Sequence, residues 1–163
     1  MGKEIERKFL LKDDSWKKFP GAGEGVFCFQ AYFALEDPAK GCVRLRILGE
    51  KAFLTIKGPT SGFSRDEFEY EIPLEDAKEM CLLPSLGSRL EKKRYYVKYG
   101  GFLWEIDEFL GENAPLVLAE VELPAADTVF ELPPFIGEEV TRDKRYFNGF
   151  LSRNPYSRWE EKK

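Results

Sequence analysis

Alternation with a period of two residues dominates this chain. Apolar and polar side chains trade places over 3–11, 26–35, 41–48, 51–58, 64–72, 89–99, 102–109 and 116–123, which predicts about eight β-strands. Turn residues separate them: Pro38-Ala39-Lys40-Gly41, Gly49-Glu50, Gly58-Pro59-Thr60-Ser61-Gly62 and Gly100-Gly101. Helical spacing is confined to short stretches. One runs from Asp13 to Phe19, opened by an Asp cap, and another from Leu74 to Leu83, where Met80 and Leu83 follow Leu74 and Ala77. Ala125 to Leu132 and Asp143 to Arg153 complete the set. No repeat, low-complexity stretch or linker interrupts the pattern. It predicts one domain over 1–155 and a charged tail over 156–163, with Arg158 to Lys163 fraying.

Consecutive antiparallel strands favour a meander or a barrel, because closure removes exposed edges. A small barrel ordinarily fills its interior with apolar side chains. Here charge recurs on alternate positions of several strands. Glu4, Glu6 and Lys8 share one face; so do Arg44 and Arg46, Thr55 and Lys57, and Arg65, Glu67, Glu69 and Glu71. Lys92 with Arg94, Glu105 with Asp107, and Glu120 with Glu122 continue the series. Charged faces on a wet outer surface are the ordinary alternative. Against it, the opposite faces are strongly apolar and the chain has few helices to cover them all. The charges are also sorted by strand, and carboxylate pairs interrupt otherwise uncharged segments such as 116–123. The charged faces therefore look inward and line a wet tunnel, and the apolar faces pack outward against the helices. The expected fold is mainly β (α+β), an eight-stranded antiparallel β-barrel or tunnel with a few short flanking helices.

Composition narrows the chemistry. The 163 residues are 43% hydrophobic and 33% charged, with a net charge of −4, which suits a soluble protein and disfavours a nucleic-acid binder. No apolar run is long enough to span a bilayer, and Met1-Gly2-Lys3-Glu4 lacks the apolar core of a signal peptide, so a cytoplasmic location without membrane contact is expected. Cys28, Cys42 and Cys81 are odd in number and form no CxxC, which argues against a disulfide framework or a zinc site. The decisive count is zero histidines. It excludes Ser-His-Asp and Cys-His catalysis, leaving carboxylates, lysine, arginine, tyrosine or metal-bound water. A metal held by oxygen ligands alone is hard: Mg²⁺, Mn²⁺ or Ca²⁺. Paired carboxylates with arginine and lysine clamps suit a polyanion that arrives with metal, a polyphosphate or nucleoside triphosphate. Phosphoryl transfer needs positioning, charge neutralisation and a nucleophile, none of which requires histidine. Gly21 to Gly25 lacks the setting and spacing of a nucleotide loop and reads as a turn, and no GxxxxGK[ST] is present.

The ordered motifs resemble those of the CYTH superfamily, the triphosphate tunnel metalloenzymes. Glu4-Ile5-Glu6-Arg7-Lys8 matches its ExExK signature, Arg44-Leu45-Arg46 its RxR strand, and Thr55-Ile56-Lys57 its following lysine strand. Ser64 to Glu69 resembles SRxEyE, Glu91 to Tyr95 EKxRy, Glu105-Ile106-Asp107 ExD, and Glu120-Val121-Glu122 ExE. Gly137 to Thr141 with Lys144 to Asn148 resembles its C-terminal segment, so the match runs from residue 3 to about 152. Within the family the chain is most similar to short bacterial inorganic tripolyphosphatases. The resemblance implies an eight-stranded tunnel. It implies phosphate binding by Lys8, Arg44, Arg46, Lys57, Lys92 and Arg94, with Arg145 near one mouth, and a Mg²⁺ or Mn²⁺ ion on Glu4, Glu6, Glu120 and Glu122. It places Glu4, Glu6, Lys8, Lys92 and Asp107 in catalysis, with Glu67, Glu69 and Glu105 as further acidic wall residues. Lys3 and Arg7 have the opposite parity and fall outside the site.

The expected activity is metal-dependent hydrolysis of a linear triphosphate, inorganic tripolyphosphate to pyrophosphate and phosphate. The alternatives are a class IV-type adenylyl cyclase, a thiamine or nucleoside triphosphatase, and a non-catalytic polyphosphate-binding module. The module would not need so many paired carboxylates. No aromatic cluster on an inward face offers a stacking surface for adenine, and Trp104, opposite in parity to Glu105 and Asp107, points outward. The expected partner is a small-molecule triphosphate, with a homodimer left open.

Overall fold

A computed structural model describes residues 2–160. The strands are β1 (Gly2–Leu11), β2 (Val26–Phe33), β3 (Cys42–Leu48), β4 (Lys51–Lys57), β5 (Ser64–Ile72), β6 (Leu86–Tyr99), β7 (Phe102–Phe109), β8 (Val117–Glu122) and β9 (Ile136–Glu139). Two short helices accompany them, α1 (Leu74–Met80) and α2 (Asn148–Arg153). Among the described residues no helix is long and apolar enough to cross a membrane.

The sheet order is β5-β4-β3-β2-β6-β7-β8-β1-β9, and β1 also pairs with β5. Strands β1 to β8 therefore close into an antiparallel barrel. β1 makes the closure by changing partners along one edge. Residues 2–5 pair with β5, whereas Phe9 and Leu11 pair with Glu139 and Ile136 of β9. Its other edge pairs with β8 from Glu6 to Leu10, Glu6 opposite Glu122 and Lys8 opposite Glu120. Directly opposed residues share a face of the sheet. The register thus carries the parity of one strand to the next: Arg44 faces Thr55, Lys57 faces Glu67, Arg94 faces Asp107, and Glu105 faces Glu120.

The other parity supplies two outer cores. Phe9, Val97, Trp104, Ile106 and Val121 pack under Trp16 and under Phe135 and Ile136. Ala31, Leu45 and Ala52 are covered by α1 through Ala77, with Leu74 and Met80 alongside. Each fully buried valine, leucine, isoleucine or phenylalanine side chain contributes roughly 1.5–3 kcal/mol. The outer face of β4 and β5 is a departure from the expected helix cover, because Ile56, Phe68 and Tyr70 remain exposed there.

A third apolar cluster lies on the inward parity. Leu10, Leu90, Phe109 and Leu118 continue the faces that carry Lys8, Lys92, Asp107 and Glu120, and they meet Val140, Tyr146 and Leu151 of the C-terminal segment. One part of the barrel interior is therefore apolar and sealed, and the wet lining occupies the rest.

The helical expectations are met in part. The stretch 13–19 forms only a 3-10 turn, Ser15–Lys18. Asp14 at its cap makes no capping hydrogen bond, whereas the Asp13 carboxylate accepts from the Ser15 amide at 2.8 Å. Leu83 lies beyond α1 and is exposed. The stretch 125–132 is not helical; Phe130 instead packs its ring on Phe9, Phe102 and Trp104. The stretch 143–153 divides into a 3-10 turn, Lys144–Tyr146, and α2. β9 has no counterpart among the expected strands, since four residues are too few to show a period. Within the expected tail, Trp159 packs on Tyr146 and Tyr156 and donates its indole N–H to the Asn154 carbonyl, while residues 161–163 lie outside the described residues.

The β2–β3 connection depends on Gly41. Its φ is +138°, and a Cβ there would stand 2.2 Å from the Lys57 carbonyl oxygen. Only glycine lets the chain approach β4 this closely, and the approach fixes the end of β4 that carries Lys57.

Candidate active site

The inward charged faces enclose a cavity of about 550 Å³. Glu4, Glu6, Lys8, Arg44, Arg46, Lys57, Lys92, Arg94, Glu120 and Glu122 all line it, as do Arg65, Glu67, Glu69 and Glu105. Strands far apart in sequence are brought together here because closure sets β1 between β5 and β8.

The cations are held in carboxylate pairs. Lys57 meets Glu4 at 3.0 Å and Glu67 at 2.9 Å, and Arg65 meets Glu4 at 3.0 Å. Arg44 and Arg46 converge on Glu69 at 3.1 and 3.2 Å, and Thr55 donates to the same carboxylate at 2.7 Å. Lys8 meets Glu120 at 3.2 Å and donates to the Tyr146 carbonyl at 3.1 Å. Lys92 donates to Asp107 at 2.6 Å and to the Asn148 side chain at 2.9 Å. Arg94 grips Asp107 through two hydrogen bonds of 2.8 and 3.0 Å and also pairs with Glu105.

Burial and neighbouring charge pull the acids apart. Burial works against the Glu4 charge, but Lys57 and Arg65 outweigh it and hold its pKa far below the usual carboxylate range. Glu120 is buried too, yet Lys8, Lys92 and Arg94 keep its pKa low. Glu6 goes the other way: burial, then the Glu120 and Glu4 charges, push it well above the ordinary value. Glu122 and Glu105 are raised chiefly by burial, helped by nearby carboxylates. Burial lowers the Lys92 pKa despite Asp107 beside it.

Two of the expected site residues stand apart from the cavity. Asp107 does not line it; it sits behind Lys92 and Arg94, 1% exposed, as their shared counter-ion. Arg145 does not line it either. Its guanidinium is bound by Asp143 at 2.7 Å and lies over the Trp159 ring at 5.1 Å. Lys3 and Arg7 face outward as their parity requires, Lys3 to Asp66 and Arg7 to Glu139. Trp104 is fully buried in the outer core.

The structure adds lining residues that the sequence pattern left out. Gln30 and Tyr32 come from β2, whose inward face carries no charge to mark it. Asn148 and Lys144 come from the C-terminal segment. Phe33, Phe63, Phe147 and Phe150 also bring rings to the cavity, from outside the inward strand faces on which no aromatic cluster was expected. They lie at a strand end, in connections and, for Phe150, in α2, where strand alternation assigns no face.

Among the described residues no three carboxylate or thiol groups already converge into a metal cage. Glu4 is drawn toward Lys57 and Arg65, and Glu120 toward Lys8. The chemistry nonetheless fits. Glu6 stands opposite Glu122 on β8 and its charge is opposed by Glu120 and Glu4, so carboxylates crowd one region of the cavity, a repulsion that a divalent cation relieves.

The CYTH domain model matches residues 2–149. The chain belongs to the CYTH domain family. Among its relatives, the inorganic triphosphatase of Acetivibrio thermocellus is 45% identical over 161 residues, covering 99% of this chain and 100% of that protein. The inorganic triphosphatase of Nitrosomonas europaea is 42% identical over 154 residues, covering 91% and 96%. A crystal structure of an inorganic triphosphatase, 38% identical, matches this CYTH chain with a TM-score of 0.62 over 91% of it and 93% of that chain.

Proposed function

We propose that this chain hydrolyses a linear triphosphate in the charged cavity, with inorganic tripolyphosphate as its substrate. The observation that carries the reading is that Lys8, Arg44, Arg46, Lys57, Lys92 and Arg94 face one cavity together with Glu4, Glu6, Glu120 and Glu122. The named triphosphatase relatives, matched along nearly the whole chain, support it.

The cations reach the substrate from several walls. Arg44 and Arg46 on β3, Lys57 on β4, Lys92 and Arg94 on β6 and Lys8 on β1 surround a chain of phosphates and exchange their carboxylate partners for phosphate oxygens. Asp107 holds Lys92 and Arg94 in place from behind. Glu4, Glu6, Glu120 and Glu122 would hold Mg²⁺ or Mn²⁺, and a bound ion of this kind supplies a water of lowered pKa and neutralises phosphate charge. In the reaction one P–O–P bond breaks, water adds across it, and pyrophosphate and phosphate leave. The apolar seal of Leu10, Leu90, Phe109 and Leu118 under Tyr146 keeps one part of the interior dry, which strengthens the electrostatics beside it.

A second reading, hydrolysis of an organic triphosphate, is favoured by the rings of Phe33, Phe63, Phe147 and Phe150 at the cavity. One experiment separates the two. The purified protein is given tripolyphosphate, ATP or thiamine triphosphate with Mg²⁺ or Mn²⁺, and the products are separated. Tripolyphosphate cleaved fastest supports the first reading, and faster cleavage of an organic triphosphate the second. Cyclic AMP and pyrophosphate as the main products would replace both with a cyclase.

A further inference from the structure

We propose that Gln30 is a substrate-binding residue of this cavity, a neutral donor to a phosphate oxygen. The inference rests on the triphosphate reading and extends it to a residue that no motif marks. Gln30 sits on β2 between the two basic walls. Its neighbours across the sheet are Arg46 on β3 and Leu90 on β6, and Lys92 is paired with the nearby Cys28. The side chain lines the cavity and is 0% exposed.

Its hydrogen bonding is half complete. The Tyr32 hydroxyl donates to the Gln30 amide oxygen at 3.4 Å, and burial raises the Tyr32 pKa, so the hydroxyl keeps its proton. That contact turns the amide nitrogen away from Tyr32. The nitrogen has no protein partner, and the same holds for Nε of Arg44 and Nε of Arg46 on the adjoining strand. The charged ends of the cavity's cations are engaged, by contrast: Arg44 and Arg46 with Glu69, Lys57 with Glu4, Lys92 with Asp107. A buried donor left unpaired is unfavourable to the folded chain, and such donors are few in native proteins. Three on one wall mark where an acceptor-only ligand binds. A phosphate chain is such a ligand, and as it draws Arg44 and Arg46 from Glu69 it comes within reach of the amide that stands opposite Arg46.

A structural glutamine and a ligand-binding one respond differently to replacement. Gln30→Met removes the polar group at similar length. Gln30→Met relieves one unpaired buried donor but also takes the acceptor from the Tyr32 hydroxyl, so melting without ligand shifts little or falls. The KM for tripolyphosphate rises about tenfold or more with the loss of a hydrogen bond to a charged group. Sodium tripolyphosphate in EDTA, where turnover is blocked, raises the melting temperature of the variant less than that of the wild type. Gln30→Glu keeps the acceptor for Tyr32 but loses the donor, and it decides the matter if the methionine variant does not fold: its KM rises as well. An unchanged KM in a folded variant overturns the proposal, whether or not its melting temperature falls. A wild-type protein that neither cleaves tripolyphosphate nor melts higher in its presence refutes the substrate reading instead, so the two failures are distinct.

Discussion

Asp107→Asn changes one oxygen to nitrogen in a side chain that is 1% exposed. The consequence follows from what the carboxylate holds: Lys92 at 2.6 Å and Arg94 at 2.8 and 3.0 Å. Removing one partner of a buried ion pair costs about 3–5 kcal/mol, because the remaining charge stays buried without compensation. Here the loss falls toward the lower bound. Glu105 still pairs with Arg94, Asn148 still accepts from Lys92, and the new amide oxygen accepts one of the former hydrogen bonds. A loss of about 3 kcal/mol lowers the melting temperature of a domain of this size by roughly 6–12 °C, at about 2–4 °C per kcal/mol. Scanning calorimetry of the two proteins in EDTA measures it. A second effect comes from the same geometry. Tripolyphosphate supplies Lys92 and Arg94 with the negative charge they have lost, so it raises the melting temperature of Asp107→Asn by more than that of the wild type. A variant melting within about 1 °C of the wild type would refute the reasoning, since a shift that small corresponds to under 1 kcal/mol and would mean Asp107 is not the counter-ion on which both cations depend.

Other outcomes are expected on the same grounds. Chelation of divalent metal abolishes phosphate release and Mg²⁺ or Mn²⁺ restores it; Glu4→Gln, Glu6→Gln, Glu120→Gln and Glu122→Gln each abolish it with metal present, while Arg7→Gln on the outer face, as the control, retains most of the rate. Arg44→Ala and Lys57→Ala raise the KM about tenfold or more, each losing a charge-assisted contact of roughly 1.5–3 kcal/mol, which steady-state kinetics on tripolyphosphate will read. Stability of the metal-free protein depends on pH in two opposite ways. Glu6 has its pKa raised on folding, so stability falls as pH rises from the ordinary value of 4.5 through its higher folded value. Glu4 and Glu120 have theirs lowered, so the stability they contribute is complete above 4.5 and is lost as pH falls below it toward their folded values. Denaturant midpoints across that range, with Glu6→Gln flattening the decline on the alkaline side, check both signs.

Alternation along single strands was enough to assign most of the wall. Glu4, Glu6 and Lys8 on one strand, or Arg44 and Arg46 on another, share a face because successive side chains of a pleated strand point to opposite sides. Closure was legible too, since apolar outer faces with few helices to cover them left the charged faces nowhere else to go. Parity also excluded Arg7 and Trp104 from the site. It says nothing at strand ends, in connections and in short helices, and there the reading was incomplete: Phe33, Phe63, Phe147 and Asn148 reach the cavity from such positions, and β9 was too short to register. Arg145 and Asp107 show the same limit within matched motifs. A motif names a residue but not what it touches, and here one is bound by Asp143 and the other is covered by the cations it serves.

The sequence by itself determined the strands, the two chemical faces, the supply of basic and acidic groups and, through the absence of histidine, the kinds of catalysis open to the chain. Those properties are local, each carried by residues a few positions apart. Only the tertiary structure decided which charge meets which. Lys57 meets Glu4, 53 residues away, because β1 closes the barrel against β5, the partner of β4. The pairing of β1 with β8 sets Glu6 near Glu120, and burial and neighbouring charge push their pKa values in opposite directions. Tertiary packing also decided where the wet lining stops, at the inward leucines under Tyr146, and left the Gln30 amide nitrogen without a protein partner. Pairing and solvation depend on distances between strands, and strand order, register and closure fix those distances only once the whole sheet has formed.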